Sequence, residues 1–203
     1  MLTVHDVMTA YIILTLNAYC YDNDEQIIQY INIIVNFRGV SDSIASLGLI
    51  ANCTMLMLSE NFDDLYSLSS ITKAIRRSII RSRDPSFLEP LLATADELMC
   101  DLAYDGREVN TDHFPHGIIV NSNHRYDWTN LVDFDYVGKC RFHTNGTAPL
   151  FLHVFRLNPI NDGTQWMPTD RQGAKVTFRI ENRKSKGDLS MRGNEISKEV
   201  LFE

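Results

Sequence analysis

The sequence predicts an α+β protein: a bundle of about five helices over residues 1–105, followed by a small antiparallel β sheet or sandwich over residues 106–203. Three observations predict it. Apolar residues recur at helical spacing through the first half of the chain. After Gly106 the spacing changes, and from Asp133 to His143 it nearly alternates, with Phe134, Tyr136, Cys140 and Phe142 on one face and Asp133, Asp135, Lys139 and Arg141 on the other. Thr144-Asn145-Gly146-Thr147 then places Asn-Gly between two apolar segments, which is a strong hairpin signal.

Residues 3–21 read as the first helix, with Thr3 placed to cap it and Asp6 three residues on, near the positive end of the helix dipole. Val4, Val7, Met8, Tyr11, Ile12, Leu14 and Leu16 cover most of its circumference, so a central, buried helix is expected. A second helix is expected after Asp22-Asn23-Asp24, with a stripe at Ile27, Ile28, Ile31, Ile34 and Val35 and Gly39 just past its end. Ser41 can cap a third helix over 42–58, apolar on nearly all sides and so the expected centre of the bundle. The fourth spans about 61–83 and is basic toward its C-terminus. Asp84-Pro85 and Glu89-Pro90 both offer a proline at a first helical position, and the last helix is expected over 90–103 with Leu91, Ala95, Leu98, Met99 and Leu102 inward.

In the second half, a two-residue turn pairing Thr144 with Thr147 sets Cys140 opposite Phe151, Tyr136 opposite Phe155 and Asp135 opposite Arg156. The strand 148–157 is apolar on both faces apart from His153 and Arg156, so it should lie centrally. Lys175–Glu181 alternates as a half-buried strand, and Gly117–Asn121 and Ile196–Phe202 are weaker strand candidates. Residues 182–195 read as a polar loop.

Composition limits the function. The chain carries a net charge of −7, with 6 Lys/Arg against 14 Asp/Glu in residues 1–105 and 13 against 12 in residues 106–203. An acidic average argues against a dedicated duplex-DNA binder, which needs a basic footprint on phosphate. The apolar run after Met1 has no basic flank and is closed by Asn17, Asp22 and Asp24, so neither a signal peptide nor a membrane span is expected, and a cytoplasmic or virion location is. Without a secretory signal the sequons at Asn52 and Asn145 carry no weight. Cys20, Cys53, Cys100 and Cys140 have no CxxC spacing and read as reduced, mostly buried thiols.

Four constellations bear on chemistry. Lys73, Arg77 and Arg81 fall at i, i+4 and i+8, with Arg76 and Arg83 adjacent, a cationic stripe suited to phosphates or an acidic partner; the plainer reading is cations finishing a helix end and pairing with local acids. Asp112, His113, His116, His124 and Asp127 supply metal-ligand residue types, but a proline-interrupted HxxH matches no fixed ligand geometry. Cys140 and His143 fall on opposite faces of the expected strand, which favours a packing role over a thiolate–imidazole pair. Trp128 and Trp166 either plug the core or anchor a partner. Nothing approaches a glycine-rich phosphate loop or a hydrolase elbow, and no cofactor is expected. The leading expectation is a non-enzymatic structural or assembly protein engaging copies of itself or a larger complex, as a viral or phage component would. The alternatives are an RNA or single-stranded nucleic-acid binder using Lys73–Arg83, and a metal-dependent hydrolase using the 112–127 histidine segment.

Overall fold

A computed structural model describes residues 1–20, 27–108, 114–127, 131, 150–167, 173–180 and 196–202. The chain divides into two units, Met1–Ile118 and Ile119–Glu203. Among the described residues there are three helices, and the expected five-helix bundle is overturned. The first unit is itself α+β: α1 (Val4–Tyr19), β1 (Tyr30–Asn36), β2 (Thr54–Leu58), α2 (Leu68–Arg81) and α3 (Pro85–Tyr104).

The second expected helix is instead β1, and its side chains explain why. Ile27, Ile28, Ile31, Ile33, Ile34 and Val35 are all β-branched, a class stiff at χ1 in a helix and well packed on a pleated surface. Ile33, which the helical stripe leaves out, completes the alternation Ile31, Ile33, Val35, and all three are buried. The third expected helix is a run of turns followed by β2. Gly39, at φ +68°, turns the chain after β1, and its N–H donates to the Ala45 carbonyl at 2.9 Å. The chain then returns antiparallel, with Ile34 opposite Leu56 and Asn36 opposite Thr54, so ladder pairing prevails over local helix propensity. Leu47 and Ile50, expected at a bundle centre, are 79 % and 100 % exposed.

α1 and α2 pack on each other and α2 meets β1. Thr3 and Asp6 close a capping box at the start of α1, as expected, while Ser67 rather than a residue near 61 caps α2. Ile12, Ile13 and Leu16 of α1 and Ile71, Ala74 and Ile75 of α2 form the core with β1. Asp84 caps α3, so Pro85 takes its first helical position and Pro90 falls inside the helix. Gly117 opens β3 (Gly117–Ser122) beside Tyr30: a Cβ there would stand 2.6 Å from the Tyr30 ring, so only glycine fits. The Tyr30 hydroxyl donates to the Pro115 carbonyl at 2.8 Å.

In the second unit the strand order is β3, β4 (Phe151–Arg156), β7 (Ala174–Ile180) and β8 (Ile196–Phe202), with β5 (Ile160–Asn161) and β6 (Trp166–Met167) forming a separate two-stranded pair. The sheet is mixed, not antiparallel: β3 and β4 run parallel, with Ile119 opposite Phe151, while β4–β7 and β7–β8 are antiparallel. β4 is central, as its two-sided apolar pattern indicates. Residues 132–149 lie outside the described set, and with them the expected strand at 133–143, the Asn145-Gly146 turn, Cys140 and His143. The register predicted for that hairpin lies outside the described residues with them. A strand has two edges, and at His153 and Val154 both are taken, by β3 and by β7. Val120, Leu152, Val154 and Val176, which share one face of this sheet, are wholly buried. The polar loop at 182–195 also lies outside the described residues.

Candidate functional site

The cationic stripe is the first candidate, and α2 positions it by burying Ile71, Ala74, Ile75 and Ser78 on the opposite face. Four of its five residues are engaged within the first unit. The Arg77 guanidinium lies 3.0 Å from Glu60 and 3.8 Å from Asp63. Arg76 stands 3.9 Å from the fully buried Asp6. The Arg81 guanidinium covers the Phe87 ring at 4.3 Å, a cation–π contact. Arg83, one residue beyond the Ser82 C-cap, donates to the Asn36 carbonyl at 3.4 Å. Lys73 is exposed and forms no ion pair among the described residues.

Among the described residues the histidine segment forms no cluster. His113, Asp112 and Trp128 lie outside the described residues. His116 Nδ1 is 3.2 Å from the Ile27 carbonyl and His124 Nε2 is 3.3 Å from the Gly173 carbonyl, so each ring tethers backbone within its own unit. Asp127 pairs with Arg156 at 3.5 Å. Among the described residues no group of three histidine, cysteine or acidic side chains is set to hold a metal. Trp166, in β6, is 38 % exposed and is not a core plug. Of the described cysteines Cys53 is buried, but Cys20 and Cys100 are exposed, against the expectation of mostly buried thiols. No helix among the described residues is long and apolar enough to cross a membrane.

β4 carries a feature the sequence did not flag. On its second face His153 stacks between Phe151 and Phe155, with ring centroids 4.3 and 6.1 Å apart. Both ring nitrogens of His153, and Oγ1 of its cross-strand neighbour Thr177, are buried without a hydrogen bond. Burial holds the imidazole pKa below its ordinary value. Folding is therefore opposed by protonation here: the neutral ring's contribution is complete above the ordinary value of about 6.5 and is lost as pH falls through the lower folded value. His153→Phe, which continues the stack and removes two unmet nitrogens, should raise stability by about 1 kcal/mol and more at acid pH. Urea midpoints for both chains at about pH 7.5 and pH 5 check this; a gap that does not widen on acidification contradicts it.

Two helix faces carry exposed apolar residues. Of the α1 residues expected to make it central, Ile12 and Leu16 are buried, Met8 and Leu14 are half-buried, and Val4, Val7 and Tyr11 are exposed. Val4, Val7 and Tyr11 are 62 %, 40 % and 50 % exposed. α3 buries only Leu88 among its 20 residues, and Leu98 and Met99, expected inward, are each 57 % exposed. No protein-family model matches the chain, and comparison with curated proteins gives no match.

Proposed function

We propose that this chain is a non-enzymatic assembly protein acting through protein–protein contacts, the first of them with a second copy of itself across the outer face of α1. The observation that supports this reading is the character of that face. Val4, Val7, Tyr11, Leu14 and Ala18 follow one another by three, four, three and four residues, the spacing of a helix–helix seam. The residues that complete the same arc, Met8, Thr15 and Tyr19, are uncharged. A two-fold contact sets each residue against its own kind or a fixed partner, so a face without charge meets its copy without repulsion. Crossing antiparallel at Tyr11, Val7 of one copy faces Leu14 of the other, and the helix dipoles oppose.

The nucleic-acid reading has less behind it, because Arg76, Arg77, Arg81 and Arg83 already have acidic, aromatic or carbonyl neighbours. The metal-hydrolase reading is weakened in the same way, because His116 and His124 each lie against a backbone carbonyl.

The test is absolute mass by light scattering after size exclusion, for the native chain and a Val4→Glu/Val7→Glu variant, with circular dichroism to verify retained helix. The native chain is expected as a salt-resistant dimer. The variant is expected at least about tenfold weaker in association, since a carboxylate forced into an apolar seam costs more than about 1.4 kcal/mol. A native monomer at micromolar concentration, or a dimer indifferent to both carboxylates, overturns the proposal.

A further inference from the structure

α3 is fixed at one end; along the rest Leu91, Leu92, Ala95 and Leu102 are half-buried and Leu98 and Met99 are exposed. Its first turns are held by the Arg81–Phe87 contact, by Leu88 in the core, and by Glu89, whose carboxylate accepts from the Ser41 and Ser43 hydroxyls at 2.6 and 2.7 Å. Those two bonds hold the Glu89 carboxyl below its usual range. No residue of α3 beyond Leu88 is buried, yet the apolar pattern continues for three more turns.

Leu88, Leu92, Ala95, Met99 and Leu102 alternate by four and three residues, and Leu91 and Leu98 widen the seam on one side. The stripe from Leu91 to Leu102 is roughly 16 Å long at about 1.5 Å per residue. Its borders are acidic. Projected around the helix, Asp96 lies beside one margin, Asp101 toward the other, and Glu97 on the far side, all three exposed. From Asp84 to Gly106 the chain has no lysine or arginine. This charge separates α3 from the uncharged outer face of α1 and selects its partner.

We propose that the α3 stripe docks an amphipathic helix of a different protein, apolar at heptad spacing and flanked by lysine or arginine. A second copy of α3 would bring its acidic margins, Asp96 and Asp101, against those of its partner, a juxtaposition that like charges penalise. An anionic membrane surface would be repelled for the same reason. A basic helix buries Leu91, Leu98 and Met99 in its own seam and sets its cations beside Asp96 and Asp101, the arrangement by which flanking charges choose partners in paired helices. This docking deepens the assembly reading and rests on it, but it uses a different helix, so the two fail separately.

The test measures binding of the full chain to a fluorescent three-heptad peptide with leucine at the seam positions and lysine at the flanking ones, by anisotropy, beside a counterpart carrying glutamate for lysine. The lysine peptide should bind, weakening with salt, and the glutamate peptide at least about tenfold less tightly. Leu98→Gln/Met99→Gln, which leaves charge unchanged, should weaken the lysine peptide about tenfold, and Asp96→Asn/Asp101→Asn should flatten the salt dependence. Val4→Glu/Val7→Glu should leave peptide binding unchanged. A lysine peptide that does not bind, or that binds the Leu98→Gln/Met99→Gln chain as well as the native one, overturns the docking; so does loss of the chain's own oligomer in that variant, which would make a second copy the occupant. A native monomer that still binds the peptide through α3 would remove the α1 contact alone.

Discussion

Asn17→Leu is expected to destabilise the first unit by about 4 kcal/mol, a large share of the roughly 5–15 kcal/mol that holds a domain folded. Asn17 is buried on the inner face of α1. Its Nδ2 donates to the Ile28 carbonyl at 3.0 Å, its Oδ1 accepts from the Ile28 N–H at 2.9 Å, and Nδ2 also reaches the Leu65 carbonyl at 3.4 Å. The side-chain amide thus serves Ile28 as a neighbouring strand would, ahead of β1. Leucine fills similar volume but orphans a buried donor and a buried acceptor at once, each at about 1–3 kcal/mol. Urea unfolding of the native and variant chains measures the difference. A loss under about 1 kcal/mol would mean that water replaces the amide and that the clasp does not hold the entry to β1.

The second large effect is expected at the Asp6–Arg76 pair. Asp6 is fully buried, and beyond its capping bond to the Thr3 N–H at 2.8 Å its Oδ1 has no hydrogen bond. Arg76 Nε is likewise buried and unmet, although 29 % of the side chain is exposed. Removing one member of such a pair leaves a charge without compensation, so Arg76→Met should cost about 3 kcal/mol, the lower part of the usual range because solvent still reaches the guanidinium. Asp6→Ala should cost as much and additionally lose about 1 kcal/mol of cap. The double variant should be less destabilised than the sum of the singles, by at least about 1 kcal/mol, in a double-mutant cycle. Strict additivity would show that the two charges do not sense each other across 3.9 Å.

Much of the second unit was legible in single strands. Ile196–Phe202 is β8 residue for residue, Lys175–Glu181 is β7 shifted by one, and Gly117–Asn121 is β3 but for Ser122. Strand direction was not legible, because alternation records which face a residue takes and says nothing about whether its neighbour runs with it or against it. In the first unit the errors came from two-fold ambiguity. Ile27, Ile28, Ile31, Ile34 and Val35 fit a helix stripe, and only Ile33 tells against it. The all-round apolar segment 42–58 looked like a buried helix because exposed Leu47 and Ile50 cannot be told from core residues by type. The cationic stripe was legible as a pattern, but its neighbours were not: Glu60, Asp6, Phe87 and Asn36 reach it only through folding. The exposed residues of α1 and α3 are visible in the sequence as apolar periodicity, which reads as a core only if the two absent helices supply its other side.

The parallel pairing of β3 with β4 bears on how the chain emerges during synthesis. β1 and β2 can close on each other soon after Leu58 leaves the ribosome, and α1, α2 and α3 follow without waiting for anything downstream. β3 comes next, and its edge toward β4 is filled only when Phe151 has been made to face Ile119, while β4 in turn acquires its other neighbour only with Lys175. During that interval Ile119 and Val120 offer an open backbone edge in a nascent chain, the kind of surface that holding chaperones cover and that neighbouring chains on the same message can capture. The delay between β3 and β4 is therefore a translation-rate problem as much as a folding one: slow codons between Ser122 and Phe151 would lengthen the exposure, and fast ones would shorten it.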